Sequence, residues 1–157
     1  MLFYQKFALV FLRLTLGWIF LYAGISKFMT ENWSAIGFLK GAKMFQGLFG
    51  FFADPSVLPY VNVINKWALL LLGLSLVLGI FIRISAPLGA ALMVLYFLPR
   101  GLPKPDPTSF IVDSHWVYAA GLFVLAAFHA GRVWGVAGWC SKLPLCKKYP
   151  KFRALLD

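Results

Sequence analysis

Long apolar runs constrain this chain more than any other feature. The stretch "WALLLLGLSLVLGIFI", from Trp67 to Ile82, contains no charged residue. A helix needs about 20 mostly apolar residues to cross a hydrocarbon core of about 30 Å. Four stretches are candidates, over residues 7–27, 61–82, 84–99 and 110–130. Backbone groups in lipid have no water to bond, so such segments must satisfy themselves as helices. The expected fold is an all-α membrane protein, a four transmembrane helix bundle over residues 1–136, followed by a basic tail over 137–157.

Composition agrees. Of 157 residues, 61% are hydrophobic and 13% charged, with a mean hydropathy of +0.81. Soluble chains average about 45–50% apolar and about 25% charged residues. The net charge of +10 does not imply a nucleic-acid partner. The basic residues gather at helix ends and in the tail, not on a soluble face with a reading motif. Arg132, Lys142, Lys147, Lys148, Lys151 and Arg153 all follow the fourth stretch. The positive-inside rule therefore places the tail in the cytoplasm, and four spans bring the N-terminus to the same side. Such a tail suits anionic lipid headgroups. The first stretch, preceded by Lys6, has the outline of a signal peptide. It lacks a small-x-small cleavage site and three more stretches follow, so a retained helix is expected.

The connections differ in character. The second and third spans meet at Arg83 in a tight hairpin. The third and fourth are joined by "PRGLPKPDPTS", whose prolines disfavour helix at the residues before them. The longest connection, residues 29–60, carries Phe38, Phe45, Phe49 and Phe52 at helical spacing, with Lys40, Lys43 and Gln46 on the other face. It is expected to form a short interfacial helix between helices one and two, or to cap the bundle with its aromatics. Cys140 and Cys146 form C-x5-C, not the C-x-x-C of redox or zinc sites. In a reducing cytoplasm they are expected as thiols without a disulfide.

Polar groups inside the apolar stretches are the candidate functional residues. Arg13, Gly17, Phe20, Gly24 and Lys27 fall on one stripe of the first span. Its glycines would let a neighbouring helix approach closely. Arg13 either snorkels to headgroups or contacts an anion, a lipid or a quinone oxygen. Lys27 and Glu31 end the first span, and Asp113 and His115 begin the fourth. An Asp113–Lys27 ion pair is the simplest expectation. Asp113 also suits a helix N-cap. On a formed helix Asp113 and His115 would diverge by roughly 200°, which disfavours an acid–base dyad. His115 and His129 are the only histidines, fourteen apart on one helix. A haem held by both is not expected, nor is a metal site.

The motifs resemble those of a known family. "RLTLGWIFLYAGISKF" is similar to the R-x3-G-x6-G-x2-K-F opening of the DoxX/DoxD family. "LLLLGLSLVLGIFIRISAPLGAALMVLY" resembles its second and third spans. "DSHWVYAAGLFVLAAFHAGRVWGV" resembles its fourth span and closing G-R-x-x-G. The matching positions are Arg13, Gly17, Gly24, Lys27, Arg83, Asp113, His115, Gly131, Arg132 and Gly135. The sequence after Gly135 departs from the pattern, since members often carry an acidic residue there. The resemblance implies a four-helix protein of the prokaryotic cytoplasmic membrane. It further implies a quinone-linked redox subunit, like the DoxD-type subunit of thiosulfate:quinone oxidoreductase. Catalytic candidates are then Lys27, Asp113 and His115. Quinone or lipid contacts would come from Arg13, Gly17, Gly24, Lys27 and His115. The chain has no redox centre of its own, so partner membrane subunits would supply electrons. The other readings are a non-catalytic accessory subunit of a larger complex or a homo-oligomer, and a small transporter, which lacks support because no discontinuous helix is evident.

Overall fold

The computed structural model describes residues 1–100 and 112–140. Within them the order is α1 (Phe3–Met29), α2 (Ile36–Lys40), α3 (Gln46–Phe52), α4 (Leu58–Leu78), α5 (Ile82–Phe97), α6 (Ser114–Ala127) and α7 (Val136–Cys140). Single 3-10 turns occupy Leu98–Arg100 and Ala130–Arg132. The described residues contain no strand. Three helices are long and apolar enough to cross a membrane: α1, α4, and α5 with the turn that follows it. The fourth expected stretch appears as α6, apolar but only 14 residues long. Residues 101–111 and 141–157, which include Phe110, Cys146 and most of the basic tail, lie outside the described residues.

Local chemistry sets the helix limits. α4 starts three residues before the expected span because Pro59 sits in its first turn, where a missing N–H is harmless. It stops at Leu78 because Gly79 turns left-handed, with φ of 70°. Glycine takes that conformation without a Cβ penalty. Pro87 lies inside α5. Its absent N–H would have met the Arg83 carbonyl, so only one bond near the helix start is lost.

α1 packs along α4, and α5 along α6; contacts of α1 with α6 and of α4 with α5 close the ring. The predicted stripe is the buried side of α1, where Arg13, Gly17, Phe20 and Gly24 all point inward. A Cβ on Gly24 would lie 2.7 Å from the Leu70 nitrogen, and one on Gly73 would lie 2.3 Å from the Leu21 nitrogen. Glycine alone allows this approach of two backbones. The core behind them holds Leu16, Phe20, Leu69, Leu76, Ile82 and Leu122. Lipid tails are as apolar as leucine, so this burial gains mainly close packing.

Arg13 does not snorkel. Its residue is 2% exposed. Nη1 donates to the Ala130 carbonyl at 2.7 Å and the Val133 carbonyl at 3.0 Å, and Nη2 donates to the Trp134 carbonyl at 3.4 Å. The chain after α6 ends in irregular turns whose carbonyls lack helical partners. A guanidinium, with five fixed donors, can serve several at once. Glycines make the space: a Cβ on Gly79 would lie 2.6 Å from Arg13 Nη1, and one on Gly135 would lie 2.8 Å from it. The Ala137 N–H then donates to the Gly79 carbonyl at 3.2 Å, tying α7 to the α4–α5 turn. We call this the clamp end of the bundle.

The opposite, cap end is covered by residues 30–57. The expected single interfacial helix is instead two short ones. Phe45, left-handed with φ of 54°, breaks the segment between them. Phe38 therefore does not share a helix with Phe49 and Phe52; it lies against Tyr96. Phe49 is buried with Leu39 and Ala42 in a small core of its own. Asn62 on α4 fastens this cap, accepting from the Ala35 N–H and donating to the Ser34 hydroxyl.

Cys140 corrects another expectation, because it is disulfide-bonded and not a thiol. The expectation rested on a reducing compartment alone.

Replacing Arg13 by Leu keeps bulk and removes the donors. Each carbonyl left unpaired costs about 1–3 kcal/mol, so Arg13→Leu is expected to lower stability by roughly 2–5 kcal/mol. Thermal unfolding in mild detergent reads this directly; a midpoint equal to wild type would contradict the clamp.

Candidate functional site

The polar groups of the cap end converge from three helices. Asp113 precedes α6 in extended conformation and caps it, its carboxylate accepting from the His115 N–H. The same carboxylate meets His115 Nδ1 at 2.8 and 3.0 Å. It also accepts from Arg100 Nη1 at 2.8 Å. The expectation that Asp113 and His115 diverge assumed both were helical. Asp113 is the cap, outside the helical φ/ψ range, and its side chain turns onto the first turn where the His115 ring reaches back.

The expected Asp113–Lys27 pair is also replaced. Asp113 pairs with Arg100 and His115. Lys27 Nζ instead stands 5.2 Å from the ring centre of Trp33, and Lys66 Nζ stands 5.6 Å from the same ring. Cations over an indole face are attracted by its quadrupole. Burial pushes the Asp113 carboxyl up. The His115 hydrogen bonds and the His115 and Arg100 charges outweigh this and hold it below the ordinary carboxylate value. Exposed Asp54, in the cap, is also lowered, by its hydrogen bonds to Ser56.

Two side chains that the apolar pattern concealed complete the cluster. Asn65 of α4 donates from Nδ2 to the Tyr96 hydroxyl at 2.5 Å. Its Oδ1 is buried without a hydrogen-bond partner. Tyr96 of α5 lies edge-on to His115 at 6.1 Å between ring centres, and His115 lies 6.5 Å from Tyr118. The sequence signal for Asn65 was an amide pair, Asn62 and Asn65, one turn apart at the start of an apolar run. Amides inside such helices usually bond across to a neighbour. Among the described residues no three His, Cys, Asp or Glu side chains gather at one point.

The candidate residues thus fall into two separate groups. His115 and Asp113 meet at the cap end with Tyr96 and Asn65, while Lys27 caps Trp33 beside them. Arg13 lies at the clamp end, about 21 Å along α1 from Lys27 at about 1.5 Å per residue. Gly17 and Gly24 face α4 backbone, and their space is filled by Val77 and Leu70.

The cap and charge roles of Asp113 can be separated. Asn caps nearly as well as Asp, whereas Ala loses about 1 kcal/mol. Asp113→Asn is therefore expected to unfold close to wild type in detergent and Asp113→Ala measurably lower. Equal losses in both variants would mean that the Arg100 and His115 contacts, not the cap, carry the stability.

The DoxX family model matches residues 8–99, from α1 to the turn after α5. No curated protein and no solved structure matches the chain. The match covers more than half of the sequence and includes Arg13, Gly17, Gly24, Lys27 and Arg83. With apolar helices long enough to span a bilayer, the chain is a membrane protein and belongs to the DoxX family.

Proposed function

We propose that this chain is a four-span, quinone-linked redox subunit whose quinone headgroup binds at the cap-end cluster. The observation that carries the reading is the Asp113–His115 contact at 2.8 Å. It holds a proton-exchanging imidazole inside the end of an apolar bundle. Histidine changes charge near neutral pH, and a carboxylate on one ring nitrogen fixes the tautomer and orientation of the other. With Nδ1 engaged by Asp113, Nε2 is the nitrogen that would meet a ligand.

The residues fit the chemistry of a quinone. Quinone oxygens need hydrogen-bond donors, and quinol hydroxyls need acceptors. Tyr96 accepts from Asn65, so its own O–H can donate. The unpartnered Asn65 Oδ1 is an acceptor. A quinone held here would supply two-electron, two-proton chemistry, with the electrons from a donor on a partner membrane subunit and the protons passed through His115. This revises the initial set of contacts: Arg13 is spent on carbonyls at the other end, and Gly17 and Gly24 serve helix packing. Lys27 stands over Trp33 at the same end of the bundle.

Quantifying quinone in protein gently purified from native membranes tests the site. Wild type is expected to retain about one quinone per chain, and His115→Gln to lose most of it near the wild-type unfolding midpoint. Tyr96→Phe is expected to lose it too, with a fall of about 1–3 kcal/mol because Asn65 Nδ2 loses its acceptor. No quinone on wild type, or full retention in both variants, would leave a non-catalytic accessory subunit as the reading.

For orientation we propose cytoplasmic termini. Support comes from the basic residues following the fourth stretch. The Cys140 disulfide pulls the other way, because disulfides persist mainly in oxidising compartments. A C-terminal alkaline phosphatase fusion is expected to be inactive. An active fusion would invert the topology and put the disulfide on the oxidising side.

A further inference from the structure

We infer that the clamp end binds one anionic glycerophospholipid, in a built cleft whose residues serve neither the cap-end cluster nor the quinone reading.

The cleft has two parts. A groove of about 1060 Å³ runs between α4 and α5. Its wall is almost wholly apolar, with Leu71, Leu74, Leu88 and Leu95 exposed along it. The hydroxyls of Ser75 and Ser85 lie in it but meet each other at 2.7 Å, so they present little polarity. From Leu78 to Ala68 the groove follows eleven residues of α4, ten steps along its axis. At about 1.5 Å per residue that is about 15 Å, the depth of one leaflet of a core about 30 Å thick. An acyl chain of one leaflet fits that length.

Leu78 also lines a second cavity of about 570 Å³ at the clamp end. This one is polar in part, and Arg132, Trp134, Gly135 and Trp139 surround it. Trp134 is 58% and Trp139 63% exposed, as indoles are at the headgroup level of a bilayer. Trp134 is left-handed, with φ of 49°, an outlier for a bulky residue. Arg13 holds it there by taking the Trp134 carbonyl. Strain of this kind persists where the surroundings enforce it, and it clusters at binding sites. Arg13 is thus a positioning residue, reaching the lipid only through the backbone of Trp134.

Charge selects the headgroup. The described residues of the clamp end include Lys6, Arg13, Arg83 and Arg132. The described carboxylates, Glu31, Asp54 and Asp113, all belong to the cap end. Arg132 supplies the phosphate contact; a guanidinium has five N–H donors, so it can serve a phosphate alongside other contacts. An anionic headgroup is favoured over a zwitterionic one because none of the described carboxylates lies at the clamp end to meet a choline.

Native mass spectrometry of the full chain, titrated with phosphatidylglycerol and phosphatidylcholine of identical acyl chains, tests this. One saturable phosphatidylglycerol is expected, bound roughly fivefold more tightly than phosphatidylcholine. Arg132→Gln is expected to abolish the preference and Arg132→Lys to keep most of it. Ala91 lines the groove and is exposed, so Ala91→Trp fills the groove without touching the core. It is expected to weaken both lipids with an unchanged unfolding midpoint. Should Arg132→Gln fail to fold, wild type and Ala91→Trp decide alone. Equal binding of the two lipids, non-saturable binding, or full binding by Ala91→Trp would overturn the inference. So would a dimer, or retained quinone, that Ala91→Trp disperses.

Discussion

One buried guanidinium ties the two ends of this sequence together. Arg13 sits on the first helix, yet its partners are the carbonyls of residues 130–134. The irregular turns that follow α6 leave carbonyls without helical partners. Here a side chain of α1 serves them. Gly79 and Gly135 pack close around it, while Gly131 lies against the Gly79 carbonyl and Ile82, so one cation accounts for the absent side chains at Gly79 and Gly135. The α4–α5 turn, the end of α6 and α7 all meet there.

The molecule separates its charges by height. Among the described residues the clamp end holds cations without carboxylates, and every described carboxylate lies at the cap end. Between them the helices touch through glycine and leucine. The separation suits two different tasks. A carboxylate–imidazole contact under a folded cap suits proton handling, and an open cationic cleft flanked by indoles suits lipid.

Much of the fold could be read in the sequence because lipid imposes simple rules. Apolar length marked the spans, and the four-three spacing of Arg13, Gly17, Phe20 and Gly24 marked the buried face of α1. Cysteine state and the cap were harder to read, since both depend on where the chain turns. The helical spacing of Phe38 and Phe45 was real, but a left-handed Phe45 and nearby glycines broke the helix. The site was half legible. Asp113 was recognised as a cap, and that recognition should have freed its side chain to meet His115. Asn65 and Tyr96 went unread because each looks like an interruption of an apolar run until the helix opposite is known. Arg13 was read as facing lipid or ligand, because a cation that needs carbonyls leaves no acidic partner in the sequence to betray it.

The clamp also sets a timetable. Arg13 and Ala130 are 117 residues apart. At ribosomal rates of about 5–20 residues per second, Arg13 waits for roughly 6–23 s before its acceptors exist. During that interval the first helix carries a cation without its carbonyl partners, at a cost of about 2.5–3.5 kcal/mol at the bilayer centre and less where the side chain snorkels to the headgroups. A chain truncated before residue 130 would keep that cost, because the acceptor carbonyls of Ala130, Val133 and Trp134 would be missing.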